Sequence, residues 1–195
     1  MKILLATNNK KKLIELKKIL DNEFELLTLD EVGIVSIPEE NGELFEDNAK
    51  IKAKHAAELA KMWCIADDSG LCVDSLNGNP GVRSARYSGE NATDGENIEL
   101  LLKNMENTDQ RNARFICVIA LCDPNGECQT VRGECEGQIT RKRKGDGGFG
   151  YDSVFYSPEY KKTFAELSME TKNKISHRAK ALEKLKKLTE KINDK

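Results

Sequence analysis

The 195-residue chain has no apolar run close to the ~20 residues that a membrane-spanning helix requires. Neither charge sign dominates. Lys and Arg total 31, Asp and Glu total 33, and the formal net charge is −2. The basic excess of a general nucleic-acid binder is therefore missing. Aromatic residues are only 6% of the chain and prolines number 4. No Pro/Ser linker, internal repeat or low-complexity stretch divides it. Its six cysteines, at 64, 72, 117, 122, 128 and 135, include no pair with the two-residue gap of a zinc ribbon. No Gly-x4-Gly-Lys-Ser/Thr phosphate loop occurs. After Met1-Lys2 come only Ile3-Leu4-Leu5-Ala6 before Thr7-Asn8-Asn9, a short strand rather than a signal peptide. The protein is expected to stay in the cytoplasm.

What is present describes a charged globular protein. Hydrophobic residues make up 38% and charged residues 33%, far from a disordered composition. A chain of this length buries roughly 70% of its unfolded surface, which suits one domain over 1–195, or one domain with two lobes. Cys64, Cys72 and Cys117 stand in apolar runs, so the thiols are expected to be reduced and to pack as small side chains.

Periodicity predicts strand, helix, strand, loop and helix over the first ~60 residues. The strands are Lys2 to Ala6 and Phe24 to Leu29. The first helix runs from Lys10 to about Asp21 with Leu13, Leu16 and Leu20 on one face. The second runs from Leu44 to Lys61 with Phe45, Ala49, Ala53, Ala56 and Ala60 at helical spacing. Cys64-Ile65-Ala66 and Leu71-Cys72-Val73 are expected to flank a turn. Arg114 to Cys122 and Gln129 to Cys135 are expected strands of a hairpin about Asp123-Pro124-Asn125-Gly126. A helix carries Ile98, Leu101, Leu102 and Met105, and a last one, Ser176 to Asn193, carries Leu182, Leu185, Leu188 and Ile192. The fold class is α/β with a mixed sheet; the β-rich middle could make a second lobe, and a ligand cleft between lobes is then the default site.

Five segments are candidates for chemistry. Thr7-Asn8-Asn9-Lys10-Lys11-Lys12 joins a strand to a helix start, where unpaired amides favour anions. Three lysines there oppose the helix dipole, which points to a bound phosphate over a merely solvated turn. Glu39-Glu40, followed by Glu43, Glu46 and Asp47, reads by itself as a favourable acidic start of a helix. Lys52 in that helix is open to two readings, solvent or ligand. Asp67-Asp68 ends an apolar strand ahead of Ser69-Gly70. Adjacent carboxylates repel, and a hard cation such as Mg²⁺ would relieve them while taking phosphate oxygens. One of the two could deprotonate water.

Gly145-Asp146-Gly147-Gly148-Phe149-Gly150-Tyr151-Asp152 contains Gly-x-Gly-x-x-Gly, yet it follows a basic run and precedes Ser153-Val154-Phe155-Tyr156. A dinucleotide fold needs the reverse order, strand then helix. The better functional reading is a loop that offers Phe149 or Tyr151 to a flat base; a plain surface loop is the other. In Lys172-Asn173-Lys174-Ile175-Ser176-His177-Arg178, Ser176 suits an N-cap. His177 and Arg178 would then lie in a first turn, poorly placed without a polar ligand. His55, the other histidine, reads as packed or exposed.

These segments together resemble the inosine triphosphate pyrophosphatase family, the XTP/dITP diphosphatases. The resemblance runs over nearly the whole chain. It is carried by Thr7-x-Asn9-x-x-Lys12-x-x-Glu15, Glu39-Glu40-x-Gly42-x-x-Phe45-x-x-Asn48-Ala49-x-x-Lys52-Ala53 and Ala66-Asp67-Asp68-Ser69-Gly70-Leu71. It continues through Pro80-Gly81-Val82-Arg83-Ser84-Ala85-Arg86-Tyr87-Ser88-Gly89, Gly147-Gly148-Phe149-Gly150-Tyr151-Asp152 and Ile175-Ser176-His177-Arg178. Asn8 and Lys10-Lys11 depart from the family's glycine-containing first turn.

The resemblance implies hydrolysis of ITP, dITP and XTP to a monophosphate and pyrophosphate. It also implies Mg²⁺ as cofactor, a homodimer, and a long mixed sheet with flanking helices and two lobes around a central cleft; charge and hydropathy, as above, leave no nucleic-acid or membrane partner expected. Asp68 matches the general base and a metal ligand; Glu40 matches the other acid near the metal, with Asp67 beside them. Thr7, Asn8, Asn9, Lys10, Lys11, Lys12 and Lys52 match phosphate contacts, and Ser69 a further substrate contact. Phe149, Gly150, Tyr151, Asp152, Lys172, His177 and Arg178 match the base-binding set. Asp152 is the expected acceptor for a base N1–H, Arg178 or a loop amide the expected donor, and Phe149 the stacking face. No residue looks like an activated nucleophile, so direct attack by water is expected. The alternatives are a sanitising pyrophosphatase with another base preference, and a module that binds nucleotide without hydrolysis.

Overall fold

In a computed structural model the described residues are 2–20, 24–36 and 38–193, without the side chains at 19 and 191–193. The expected helix end at Asp21 and the Ile192 side chain lie outside them. Seven strands form one mixed sheet in the order β2-β1-β3-β4-β5-β6-β7. β1 (Lys2–Leu5) pairs in parallel with β2 (Glu25–Thr28) and with β3 (Cys64–Val73). Ile3, Leu4 and Leu5 are fully buried, as expected of a parallel strand covered on both faces. β4 (Asn112–Cys122) and β5 (Cys128–Ile139) form the predicted hairpin. The Asp123 carboxylate accepts from the amides of Asn125 and Glu127 at 2.8 and 3.0 Å, and so supplies the turn's acceptors. β6 (Phe155–Ser157) and β7 (Lys162–Thr163) extend the sheet in antiparallel fashion.

The chain divides into two compact units. The first comprises Met1–Asp68, Cys117–Gly133 and Arg178–Lys195. Its helices are α1 (Lys10–Leu20), α2 (Phe45–Ala60) and, at the C-terminal end, a helix over His177–Asn193. Leu16 and Leu20 of α1 meet Ile3, Leu5, Ile65, Ile119, Leu182 and Leu185 in one apolar core. Ala49, Ala53 and Ala57 of α2 are fully buried, so small side chains let that helix lie close.

The second unit comprises Ser69–Ile116 and Glu134–His177. Its helix α3 (Asp94–Asn104) opens with a capping box: Thr93 Oγ1 accepts from Glu96 N, and Glu96 accepts from Thr93 N at 2.7 Å. Ile98, Leu101 and Met105 then enter a core with Leu71, Val73, Phe115, Phe155 and Phe164. A short helix, α4 (Met169–Ile175), follows, so the His177–Asn193 helix is α5.

Two expectations need correction, and one element is additional. Residues 64–73 form one unbroken strand, not two flanking a turn. Asp67, Asp68, Ser69 and Gly70 thus keep strand geometry, with successive side chains on opposite faces. α4 was not foreseen; Ser168 caps its start by accepting from Thr171 N at 3.2 Å. Finally, Cys122 and Cys128 are joined by a disulfide across the hairpin, whereas all six thiols are expected to be reduced from the apolar surroundings of Cys64, Cys72 and Cys117. Those three and Cys135 hold no disulfide. Burial pushes the Cys64 thiol up to about 12.

Candidate active site

In the first unit, charged side chains gather about Asp67 and Asp68 in the middle of β3. Strand alternation sends Asp67 and Asp68 to opposite faces, so their nearest cations differ. Asp67, 2% exposed, receives Lys12 Nζ at 2.9 Å and lies 3.8 Å from an Arg178 nitrogen. Arg178, also 2% exposed, is bonded in turn to Glu15. Burial alone would raise the Asp67 carboxyl; Lys12, Arg178 and Lys52 outweigh it and hold the group well below the usual carboxylate range. Burial would lower the Arg178 guanidinium, but Asp67, Cys117 and Glu15 keep it raised.

Asp68 belongs to a second cluster. One carboxylate oxygen accepts from the Asn48 amide at 3.2 Å, and the other lies 3.5 Å from Lys52 Nζ. Lys52 also donates to Glu40 at 3.0 Å. Burial raises the Asp68 carboxyl, with Glu40 adding to it, and Lys52 and Lys12 only partly offset this. A carboxyl raised in this way is a better proton acceptor than a free one. Burial would lower Lys52, yet Asp68, Asp67 and Glu40 keep it raised and charged. The structure thus settles Lys52's orientation: it faces the acids.

The expected phosphate turn adjoins these clusters in sequence. Asn9 Oδ1 accepts from Lys11 N and Lys12 N at 3.0 and 3.1 Å and so caps α1. Thr7 Oγ1 accepts from Asn9 N at 3.2 Å. Through these oxygens both side chains shape the turn, and the Thr7 hydroxyl hydrogen and Asn9 Nδ2 are further donors. Asn8, Lys10 and Lys11 are exposed at the positive end of α1. Lys12 is drawn onto β3 by Asp67.

Among the described residues no group of three or more His, Cys, Asp or Glu side chains is placed to hold a metal ion. Asp67, expected as a ligand, is engaged by Lys12 and Arg178. Glu40 and Asp68 instead converge on one ammonium, that of Lys52. Two carboxylates, completed by water and phosphate oxygens, are a donor set that suits a hard divalent cation.

The remaining expected residues lie in the second unit, apart from Arg178. Phe149 N donates to Asp152 Oδ2 at 2.8 Å, and Lys172 Nζ donates to the same oxygen at 2.7 Å. Lys172 also sits 4.7 Å from the centroid of the Phe149 ring, a cation–π contact. Asp152 therefore fixes both the aromatic face and the cation over it. Gly148 has φ +72°, and a Cβ there would lie 2.1 Å from Asp152 Oδ2, so only glycine fits against that carboxylate. Gly150 N donates to Asp94 at 2.8 Å, which ties the loop to the start of α3. Tyr151 is buried and donates to Ser84 O at 2.8 Å, a bracing contact rather than an offered face. The buried His177 ring stacks on Phe115 at 4.7 Å. Ser69 is half-buried in β3, directly after Asp68.

Asn48, Glu15 and Asp94 hydrogen-bond to residues of these groups and have no assigned role in the sequence reading. Asn48 and Glu15 lie inside the quoted motifs, which was their only signal. Asp94 had none, because its partner is 56 residues away.

Residues 3–188 match the model of the Ham1 family. A dITP/XTP pyrophosphatase of Desulforamulus reducens is 52% identical over 187 residues, covering 94% of this chain and 93% of that protein. One from Bacillus subtilis is 46% identical, covering 96% of both. The solved HAM1 protein from Coxiella burnetii superposes with a TM-score of 0.91 at 42% identity, over 98% of this chain and 99% of that one.

Proposed function

The chain belongs to the Ham1 family, and on that premise we propose that it hydrolyses the non-canonical purine nucleoside triphosphates ITP, dITP and XTP to a nucleoside monophosphate and pyrophosphate. The observation that carries the chemistry is Asp68: a nearly buried carboxyl, raised above its ordinary value, 3.5 Å from Lys52 and held by Asn48.

In this reading Asp68 accepts the proton of the attacking water. Lys52 and Lys12 meet the triphosphate's negative charge, with Thr7 to Lys11 and the positive end of α1. Glu40 and Asp68 are the residues that would hold a divalent cation, Mg²⁺ in this proposal. Such an ion, when bound, neutralises phosphate charge and makes water easier to deprotonate. Ser69 is assigned a further substrate contact. Arg178, placed with Glu15 and Asp67, keeps Asp67 ionised and so keeps Lys12 in position.

We assign base recognition to the second unit. Phe149 offers the stacking face, with Lys172 and His177 as polar contacts and Gly150, Tyr151 and Asp152 shaping the loop. Hypoxanthine and xanthine present a 6-oxo acceptor beside an N1–H donor, and adenine presents the reverse. A site built for the first pattern leaves its own groups unpaired against adenine, a mismatch worth factors of about 10⁴. A module that only binds nucleotide would have no use for a raised carboxyl beside Lys52, which favours the enzyme. We further propose that it works as a homodimer in the cytoplasm; among the described residues no helix is long and apolar enough to cross a membrane.

The test is product analysis over a panel of ITP, XTP, dITP, GTP, ATP and modified pyrimidine triphosphates. With Mg²⁺, ITP is expected to give IMP and pyrophosphate, and EDTA is expected to abolish turnover. IDP with free phosphate would refute the reading.

A further inference from the structure

One buried amide joins the two acids assigned to the reaction. Asn48 lies in the first turn of α2 with no exposed surface. Its side chain reaches two ways. Asn48 Oδ1 accepts from Gly42 N at 2.8 Å. Its Nδ2 donates to Gly42 O at 3.3 Å and to Asp68 Oδ2 at 3.2 Å. The Gly42 amide can only donate, so it fixes which end of the side chain is oxygen. The nitrogen end is thereby aimed at the Asp68 carboxylate. Gly42 in turn belongs to the segment that carries Glu40, which meets Lys52 at 3.0 Å. The fit at Gly42 is tight: a Cβ there would lie 2.6 Å from Asp47 Cβ and 2.7 Å from Asn48 Oδ1.

We infer that Asn48 is a positioning residue that sets Asp68 and Glu40 about Lys52 by bridging Asp68 and the Gly42 turn. It occupies one Asp68 oxygen and leaves the other toward Lys52. It also anchors the chain two residues from Glu40. This rests on the reading of Asp68 and Glu40 as the acids of the reaction. Outer partners of such carboxylates commonly change activity roughly 10–100-fold when removed.

The test compares Asn48→Ala, Asn48→Asp, Gly42→Ala and the Asn48→Ala/Gly42→Ala double variant, with Asp68→Asn as reference. Asn48→Asp keeps an acceptor for Gly42 N but loses the donor to Asp68. Each single variant is expected to lower kcat for ITP roughly 10–100-fold, with KM for ITP within about threefold and more Mg²⁺ needed for half-maximal rate. Both disturb the Gly42–Asn48 contact, while a Cβ at residue 42 also meets Asp47 Cβ at 2.6 Å, so the double variant is expected to lose more than Asn48→Ala but less than the product of the two single losses. Circular dichroism checks folding, and should Asn48→Ala not fold, Asn48→Asp decides the matter. With Asp68→Asn inactive, a folded Asn48→Ala or Gly42→Ala within twofold of wild-type kcat overturns this inference alone. Additive losses, or losses confined to KM, overturn it as well. An active Asp68→Asn overturns the reading beneath it, and this inference with it.

Discussion

The acid–cation clusters of the first unit and the aromatic loop of the second solve opposite problems. The clusters draw side chains from regular elements far apart in sequence: Lys12 and Asp67 are 55 residues apart, Arg178 and Glu15 163. Their precision comes from strand alternation in β3 and from helices packed on a buried sheet. The loop works locally: Phe149, Asp152 and the glycine at 148 lie within a few residues, and Lys172 comes from the nearby α4. Groups that move protons gain from rigid elements, while a loop can change what it recognises without disturbing the core. The comparison says that rate and selectivity should respond to different substitutions.

The largest expected effect is on rate. Asp68→Asn keeps the shape and the Asn48 contact but removes the proton acceptor, which costs roughly 10²–10⁴ in kcat. Steady-state turnover of ITP measures it, and a loss below tenfold would move the base elsewhere. Next is stability. Arg178→Met removes the buried cation bonded to Glu15 and leaves Asp67 to Lys12, and removing one member of a buried pair costs about 3–5 kcal/mol. Thermal unfolding should show it as a marked drop in Tm; an unchanged Tm would mean that the network is not what holds these elements. Third is selectivity. Phe149→Ala removes a stacking contact worth ~1–3 kcal/mol, so KM for ITP should rise while kcat stays near wild type. A kcat loss as large as that of Asp68→Asn would erase the division between the units. Smallest is the hairpin clip. Alkylation of the denatured, unreduced protein should modify four thiols, and all six after reduction. The loop is short, so reduction should cost no more than ~2 kcal/mol. Six modified thiols without reduction would remove the disulfide.

Much of this was legible in the sequence because its signals were periodic. The 3.6-residue spacing of Leu13, Leu16 and Leu20, and of Ile98, Leu101 and Met105, located helices whose faces are indeed buried. The hairpin turn was legible in Asp123-Pro124-Asn125-Gly126. What misled was composition. Asp67-Asp68-Ser69-Gly70 is made of good turn formers, yet Lys12, Arg178, Asn48 and Lys52 supply partners that let it remain strand. Tertiary pairing overrode local preference. The strand also turns the adjacent carboxylates to opposite faces, so that Asp68 converges on Lys52 with Glu40 rather than with Asp67. Which cations meet which acids could not be read, because those contacts span the chain. The disulfide was missed because burial around three of the cysteines was extended to the two at the hairpin ends.

The most direct test of the separation between chemistry and recognition is equilibrium binding of ITP and of ATP to Asp68→Asn with Mg²⁺ present. The account predicts that this variant binds ITP with an affinity near the wild-type KM, keeps its preference over ATP, and releases almost no IMP. Loss of that preference, or IMP formation near the wild-type rate, would contradict it.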